Sequence, residues 1–317
     1  MAIEERQLPQ IAIGADAVAR PLRRRQRSWL SRALYVLRRW PVLPIFVLAV
    51  FIFAAIFAPW VSPDDPRIGV LQDRRAPPFW YSEYYETHPQ VESRHILGAD
   101  QQGRDLLNRI IHGARVSLMV ATISLAGAVI VGTALGVIAG YYGGLTDELL
   151  SRAVDVWNAL PFLLIAILAA ITFGQSVNLV MILLALAAWA GIVRNVRAEV
   201  LSLRTLDYVD AARISGASGR RIMVKHLIPG IINTVVVLAT LRVGSLILAE
   251  AGLSFLGAGV PLSTVTWGVM VSDGRSYLND AWWIAIFPGL AILMVVMSVN
   301  FVGDWLRDRW DPRLRQL

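Results

Sequence analysis

Asp207-Tyr-Val-Asp-Ala-Ala-Arg-Ile-Ser-Gly-Ala-Ser-Gly-Arg-Arg-Ile-Met-Val-Lys-His-Leu-Ile-Pro229 is a polar, basic stretch set between two long apolar runs. Its residues spell two short helices rather than a loop. Asp207 and Thr205 are candidate N-caps, since a short side-chain oxygen accepts from the orphan N–H groups of a first turn. Ala211 and Ala212 favour helix, and Gly216 or Gly219 would end it. Ser218 is placed to cap the second helix, and Pro229 suits the first turn of the run that follows. Ala212 and Gly216 stand four apart, so they are expected to share a face with almost no side chain. A small-faced helix pair between apolar runs reads as a docking element.

The rest of the composition says what surrounds it. At 317 residues, 56% hydrophobic and with a mean hydropathy of +0.55, the chain belongs in a membrane. It has no cysteine, which excludes disulfides and thiolate metal sites. The net charge of +7 is unevenly spread: residues 1–41 hold nine Arg against three acids, and 194–225 hold seven Lys or Arg against three. Basic excess of this kind marks cytoplasmic segments, so the charge is a topology signal and not a nucleic-acid footprint. The Arg23-Arg24-Arg25-Gln26-Arg27 cluster with Trp29 and Trp40 then reads as a solvated arm and an interfacial helix on anionic headgroups. Its length rules out a cleavable signal.

Apolar runs of spanning length, five of them without a charge, predict six transmembrane helices at about 42–61, 116–142, 156–173, 177–193, 229–253 and 284–303, with both termini cytoplasmic. The 38 residues from Val156 to Val193 carry no charge and would measure about 57 Å as one helix, so they must break, at Phe173-Gly-Gln-Ser-Val-Asn178. Pro161 is expected to kink the first half. Gly132, Gly136 and Gly140 repeat every four residues and give the second span one smooth face for a neighbouring helix. Arg152 and Asp155 are spaced to pair. The loop 62–115 is expected to be extended in its proline-rich half and to lay an amphipathic helix at about 104–113 on the outer membrane surface. His95 and His112 read as polar surface residues, too sparse for a metal site. Trp267, Trp282 and Trp283 suggest an outer interface in the loop 254–283. Residues 194–228 and 304–317 would be cytoplasmic.

Two charges fall within a span. Arg242 and Glu250 are two turns apart and point the same way; each either lines a translocation path or has a structural role, Arg242 by pairing with a neighbouring helix and Glu250 at the outer interface. Asn158 is a further candidate for the path. Enzyme constellations are missing: the single Lys225 lies in Val-Lys-His, which excludes a Walker A loop, and no His-Glu-x-x-His or Gly-x-Ser-x-Gly occurs. A secondary transporter would need gradient-coupling residues or inverted repeats, and a membrane scaffold would leave the 207–229 helix pair without a task.

The opening stretch resembles the membrane subunits of binding-protein-dependent ABC importers, which carry Glu-Ala-Ala, three residues, Gly, nine residues, then Ile-x-Leu-Pro. Asp210-Ala211-Ala212, Gly216 and His226-Leu227-Ile228-Pro229 keep that spacing, with Asp210 for Glu, His226 for Ile and Ile228 for Leu. The resemblance is strongest to permeases of dipeptide, oligopeptide and nickel importers, and within them to the C-type subunit. It extends through His95-Ile-Leu-Gly-Ala-Asp-Gln-Gln-Gly-Arg-Asp105, Gly113-Ala-Arg-Val-Ser-Leu118, Ala139-Gly-Tyr-Tyr-Gly-Gly144, Glu250-Ala-Gly-Leu-Ser-Phe-Leu-Gly257, Trp267-Gly-Val-Met270 and Asp311-Pro-Arg-Leu-Arg315. Residues 62–94 match poorly, and Gly230 stands where many relatives have Asn. The resemblance implies an all-α type I importer permease in a bacterial or archaeal cytoplasmic membrane, itself without catalysis or cofactor. Its expected partners are a second, homologous permease in a heterodimer, two ATP-binding subunits and an extracytoplasmic binding protein. Asp207, Asp210, Ala211, Ala212, Arg213, Gly216, Ala217, Ser218, His226 and Pro229 would make the contact with the ATPase. Peptides lead as cargo; nickel chelates, glutathione and oligosaccharides stay open.

Overall fold

The computed structural model describes residues 41–310 apart from 90, 92 and 93, and is all helix, with a lone β-bridge between Ala99 and Asp105 among the described residues. The expected arm 1–41 and the end of the tail lie outside them, Pro41 excepted. In chain order the helices are α1 (Val42–Val61), α2 (Ser82–Thr87), α3 (Leu106–Tyr142), α4 (Gly144–Ala159), α5 (Phe162–Phe173), α6 (Val177–Leu203), α7 (Asp207–Ile214), α8 (Gly219–Ile222), α9 (Ile228–Phe255), α10 (Trp267–Gly274) and α11 (Trp283–Trp310). Five of them, counting α8 and α9 as one continuous rod, are long and apolar enough to cross a membrane, and the bent pair α4–α5 makes a sixth.

One expectation about these helices changes, and the kink expected at Pro161 is present. The amphipathic segment 104–113 is no separate surface helix. It forms the first turns of α3, which runs unbroken for 37 residues, about 55 Å. The 156–173 span bends by 78° between α4 and α5, where Pro161 occupies the cap of α5 in an extended conformation. Proline has no N–H to donate and disfavours helix in the residue before it, Leu160, which is also extended.

The glycine face packs as its spacing requires. A Cβ on Gly132, Gly136 or Gly140 would stand 2.8 Å from the side chain of Ile192, Val196 or Val200 respectively. The matching order of the two triplets means that α3 and α6 run in the same direction with their backbones in close approach. A forked ion pair from Arg197 to both oxygens of Asp147 ties α6 to α4 at the same end (Nη2–Oδ2 2.6 Å). Arg204 Nη1 donates to the Gly140 carbonyl at 2.9 Å. Arg152 and Asp155 do not pair with each other. Arg152 reaches back to Glu148 at 3.8 Å and Asp155 holds Arg194 of α6 at 2.6 Å, since the helix places i−4 and a facing helix nearer than i+3.

The tryptophans of 254–283 divide differently from expectation. Trp267 is 0% exposed; its indole N–H donates to the Ile110 carbonyl at 3.0 Å and its backbone N–H to Ser117 Oγ at 3.1 Å. Gly113 makes the room, and Phe51 of α1 meets the ring edge-on at 5.4 Å. Trp283 is also buried, donating to the Ala99 carbonyl at 3.2 Å. A satisfied indole is a large core residue; Trp267 fastens α10 to the head of α3, and Trp283 fastens α11 to the loop that leads into it.

Candidate functional site

The 207–229 stretch lies at the C-terminal end of α3. Leu206 occupies the N-cap of α7 without a side-chain bond, so Asp207 is the first helical residue and not the cap, as Thr205 is not. Asp207 and Asp210 instead place two negative charges in the first turn, where the helix dipole favours them, and Arg213 sits in the last. The helix closes in a Schellman motif: the Ala217 N–H bonds to the Ala212 carbonyl at 3.0 Å and the Gly216 N–H to the Arg213 carbonyl at 2.9 Å. Gly216 takes φ +78°, a conformation that favours glycine. Ser218 occupies the cap of α8, again with no side-chain bond. A π-helical segment, Met223–Leu227, carries Lys225 and His226 and leads into α9, where Pro229 is the second residue.

One side of this unit is glued to the bundle. Val209, Ile222 and Leu227 are buried in the core, and Ala212 and Ala217 are half-buried against it. The Arg213 guanidinium lies 5.7 Å above the Tyr141 ring of α3, and the His226 ring is 6.3 Å from Tyr208. Ala212 therefore turns inward, and Gly216, past the helix end, shares no helical face with it. The free side consists of Asp207, Tyr208, Asp210, Ala211, Arg213, Ile214, Ser215, Gly216 and Ser218, all exposed. Asp210 and Arg213 bond to each other there at 2.9 Å, and open space lies above Gly216. Ile214, at 88% exposed, is the most prominent side chain of the patch and was missed from sequence. The signal was an isoleucine at the end of an otherwise polar helix face.

The three residues expected on a path are not joined by any hydrogen bond or ion pair. Asn158 donates to the Val154 carbonyl at 2.9 Å in the last turn of α4. Glu250 is buried between α9 and α10 and accepts from Ser254 Oγ at 2.9 Å and from Thr266 Oγ1 at 3.1 Å. Thr266 Oγ1 in turn accepts the Val269 N–H at 3.2 Å, so Glu250 steadies the cap of α10. Arg242 is half-buried midway along α9.

At the other end of α3 stands a polar cluster whose members come from four segments. Asp100 Oδ1 accepts the backbone N–H groups of Gln102 (2.7 Å) and Arg104 (3.1 Å), while Oδ2 accepts Arg104 Nε (2.6 Å) and Arg109. Asp105 caps α3 through the Asn108 N–H at 2.7 Å. His95 is not a surface residue: it is buried, with Nε2 3.0 Å from Asp73 and Nδ1 2.8 Å from Asp105. Two carboxylates face the two ring nitrogens, an arrangement that favours the imidazolium, in which both nitrogens donate. Burial pulls its pKa down, but the Asp105 and Asp73 carboxylates outweigh that and hold it above the ordinary 6.5. Its stabilisation is therefore full below pH 6.5 and fades as the pH rises through the raised value. Proteolysis within 62–105 should accelerate over that rise and become pH-independent in His95→Gln. A flat profile in the native protein would contradict the assignment.

Residues 132–316 match the family described as binding-protein-dependent transport system inner membrane component. The chain belongs to that family. It is 38% identical over 271 residues to the di/tripeptide transport system permease protein DppC of Pseudomonas aeruginosa, covering 86% of this chain and 87% of that relative. It is 35% identical over 317 residues to the oligopeptide transport system permease protein OppC of Haemophilus influenzae, covering 99% and 93%. A chain of the MetNI methionine ABC transporter shares the fold at a TM-score of 0.54 and 19% identity, over 63% of this chain and 94% of its own. The family match takes in the 207–229 unit and α9 to α11. It stops short of α1 and the polar cluster, which are covered by the longer alignments to the two permeases.

Proposed function

We propose that this permease forms half of the translocation path of an ATP-driven peptide importer in a bacterial inner membrane. Partners would be a second permease, two ATPase subunits and an extracytoplasmic binding protein. The observation that carries it is the 207–229 unit: a helix anchored by Val209 on one side and presenting Asp210, Ala211, Ile214 and Gly216 to solvent on the other. Peptide cargo is supported by the di/tripeptide and oligopeptide permeases among its relatives. On this reading the unit is the coupling helix, lodged in a groove of the ATPase on the cytoplasmic side. The His95 cluster then faces the binding protein on the other side. ATP binds to the partners, and their closure draws the coupling helices together and switches the path from inward-open to outward-open.

Purification of the tagged chain should bring down ATPase subunits and a second permease, and the reconstituted assembly should take up dipeptides or tripeptides on hydrolysing ATP. Uptake by this chain alone in liposomes would defeat the proposal. Competition by glutathione or a nickel chelate, but not by peptides, would move the cargo elsewhere. Gly216→Trp should leave the protein in the membrane yet abolish substrate-stimulated ATP hydrolysis. It adds bulk where there is open space and strains a φ of +78°. Normal stimulation in an assembled mutant would remove the coupling role.

A further inference from the structure

One charge has no task in this scheme. Arg242 lies halfway along the 28-residue α9, facing the midpoint of the 27-residue α6. Its Nη2 occupies the notch left by the missing side chain of Gly191, where any Cβ would overlap it. Among the described residues it makes no hydrogen bond or ion pair through its guanidinium. On α6 and α4, Arg194 is paired with Asp155 and Arg197 with Asp147. Glu250, two turns further along α9, is held by Ser254 and Thr266. A permanently charged side chain at such depth does not face hydrocarbon; it faces the bundle interior or a water-filled cavity. Half-buried and backed by a glycine seat, this guanidinium is held in place with its donors unspent.

We propose that Arg242 is a carboxylate subsite on the translocation path, pairing transiently with the C-terminal carboxylate of a peptide as it crosses. This rests on the peptide-importer reading. A linear peptide of any sequence carries a terminal carboxylate, so one planar five-donor fork recognises the class without reading side chains. The partner is a single charge in a half-open position, which suits passage better than retention.

The test uses the complete importer in proteoliposomes, with the same tripeptide as free acid and as C-terminal amide. Each is presented on binding protein whose saturation is checked by intrinsic fluorescence. Arg242→Gln should lower free-acid uptake per ATP hydrolysed about tenfold, as expected for losing one charge-assisted hydrogen-bonded contact. Amide uptake should be unchanged, and Arg242→Lys should restore most of the free-acid rate. Equal losses for acid and amide, or no loss for either, would overturn the subsite. A lowered thermal midpoint of the assembled Arg242→Gln complex with equal losses would identify the residue as an ion-pair partner of the second permease instead. An active wild-type importer that treats acid and amide alike sinks the subsite alone. A wild-type assembly that hydrolyses ATP yet accumulates neither peptide sinks the peptide reading and the subsite with it.

Discussion

Gly136→Leu is expected to reduce the yield of assembled permease by more than about tenfold. A Cβ at 136 would stand 2.8 Å from Val196 Cβ and Cγ1 and 2.9 Å from the Val193 carbonyl oxygen. The first two atoms belong to a β-branched side chain with little rotamer freedom, and the third to the backbone of α6. None can yield unless α6 moves, and Ile192 and Val200 fix its register above Gly132 and Gly140. Overpacking a tight contact costs about 1–3 kcal/mol in soluble cores. Here the contact is itself what associates the helices, because lipid is as apolar as the side chains. Gly127→Ala is the control: its Cβ would meet Ala185 Cβ at an ordinary 3.5 Å. Yield and thermal midpoint of the detergent-solubilised complex should collapse in the first and hold in the second. A Gly136→Leu complex of normal yield would show that the two helices are held by something else.

Asp100→Ala should be comparably damaging at the opposite end of α3. It leaves Arg109, 2% exposed, with Asp273 at 3.9 Å as its remaining acid, and strips an acceptor from the Gln102 and Arg104 N–H groups. Breaking a buried pair from one side costs about 3–5 kcal/mol, mostly for the charge left behind. Rapid proteolysis of 62–105 and a lowered thermal midpoint are the readouts. Adding Arg109→Met should recover part of the loss, since the stranded charge goes with it. If the double variant were worse than Asp100→Ala alone, stranded charge would not be the cause.

What the sequence disclosed and what it hid follow from the range of the interactions. Period and charge are local, so the apolar runs, the glycine face of α3 and the paired short helices of 207–222 could be read directly. Their partners could not. His95 is decided by Asp73 and Asp105, 22 and 10 residues away, and a lone histidine carries no mark of them. Trp267 and Trp283 look interfacial until the carbonyls of Ile110 and Ala99 are seen to accept their indole N–H groups. The supposed surface helix 104–113 failed for a different reason. Nothing between Arg104 and Val116 stops a helix, Gly113 being needed for Trp267, so polar face and apolar span fuse into one. At the candidate site the spacing picked out the segment proposed here as the coupling helix, but Ala212 faces inward and Ile214 outward because Val209 sets the helix's rotation.

That fusion has a mechanical meaning. α3 is a single stiff rod with the His95–Asp105 clip at its head and, near its foot, the Tyr141 ring under Arg213 and against Gly219. With a half-length of about 27 Å, each degree of tilt about its midpoint carries the two ends in opposite senses by about 0.5 Å. A flexible joint between a surface helix and a span would have absorbed such a displacement. A continuous helix passes it from one face of the membrane to the other.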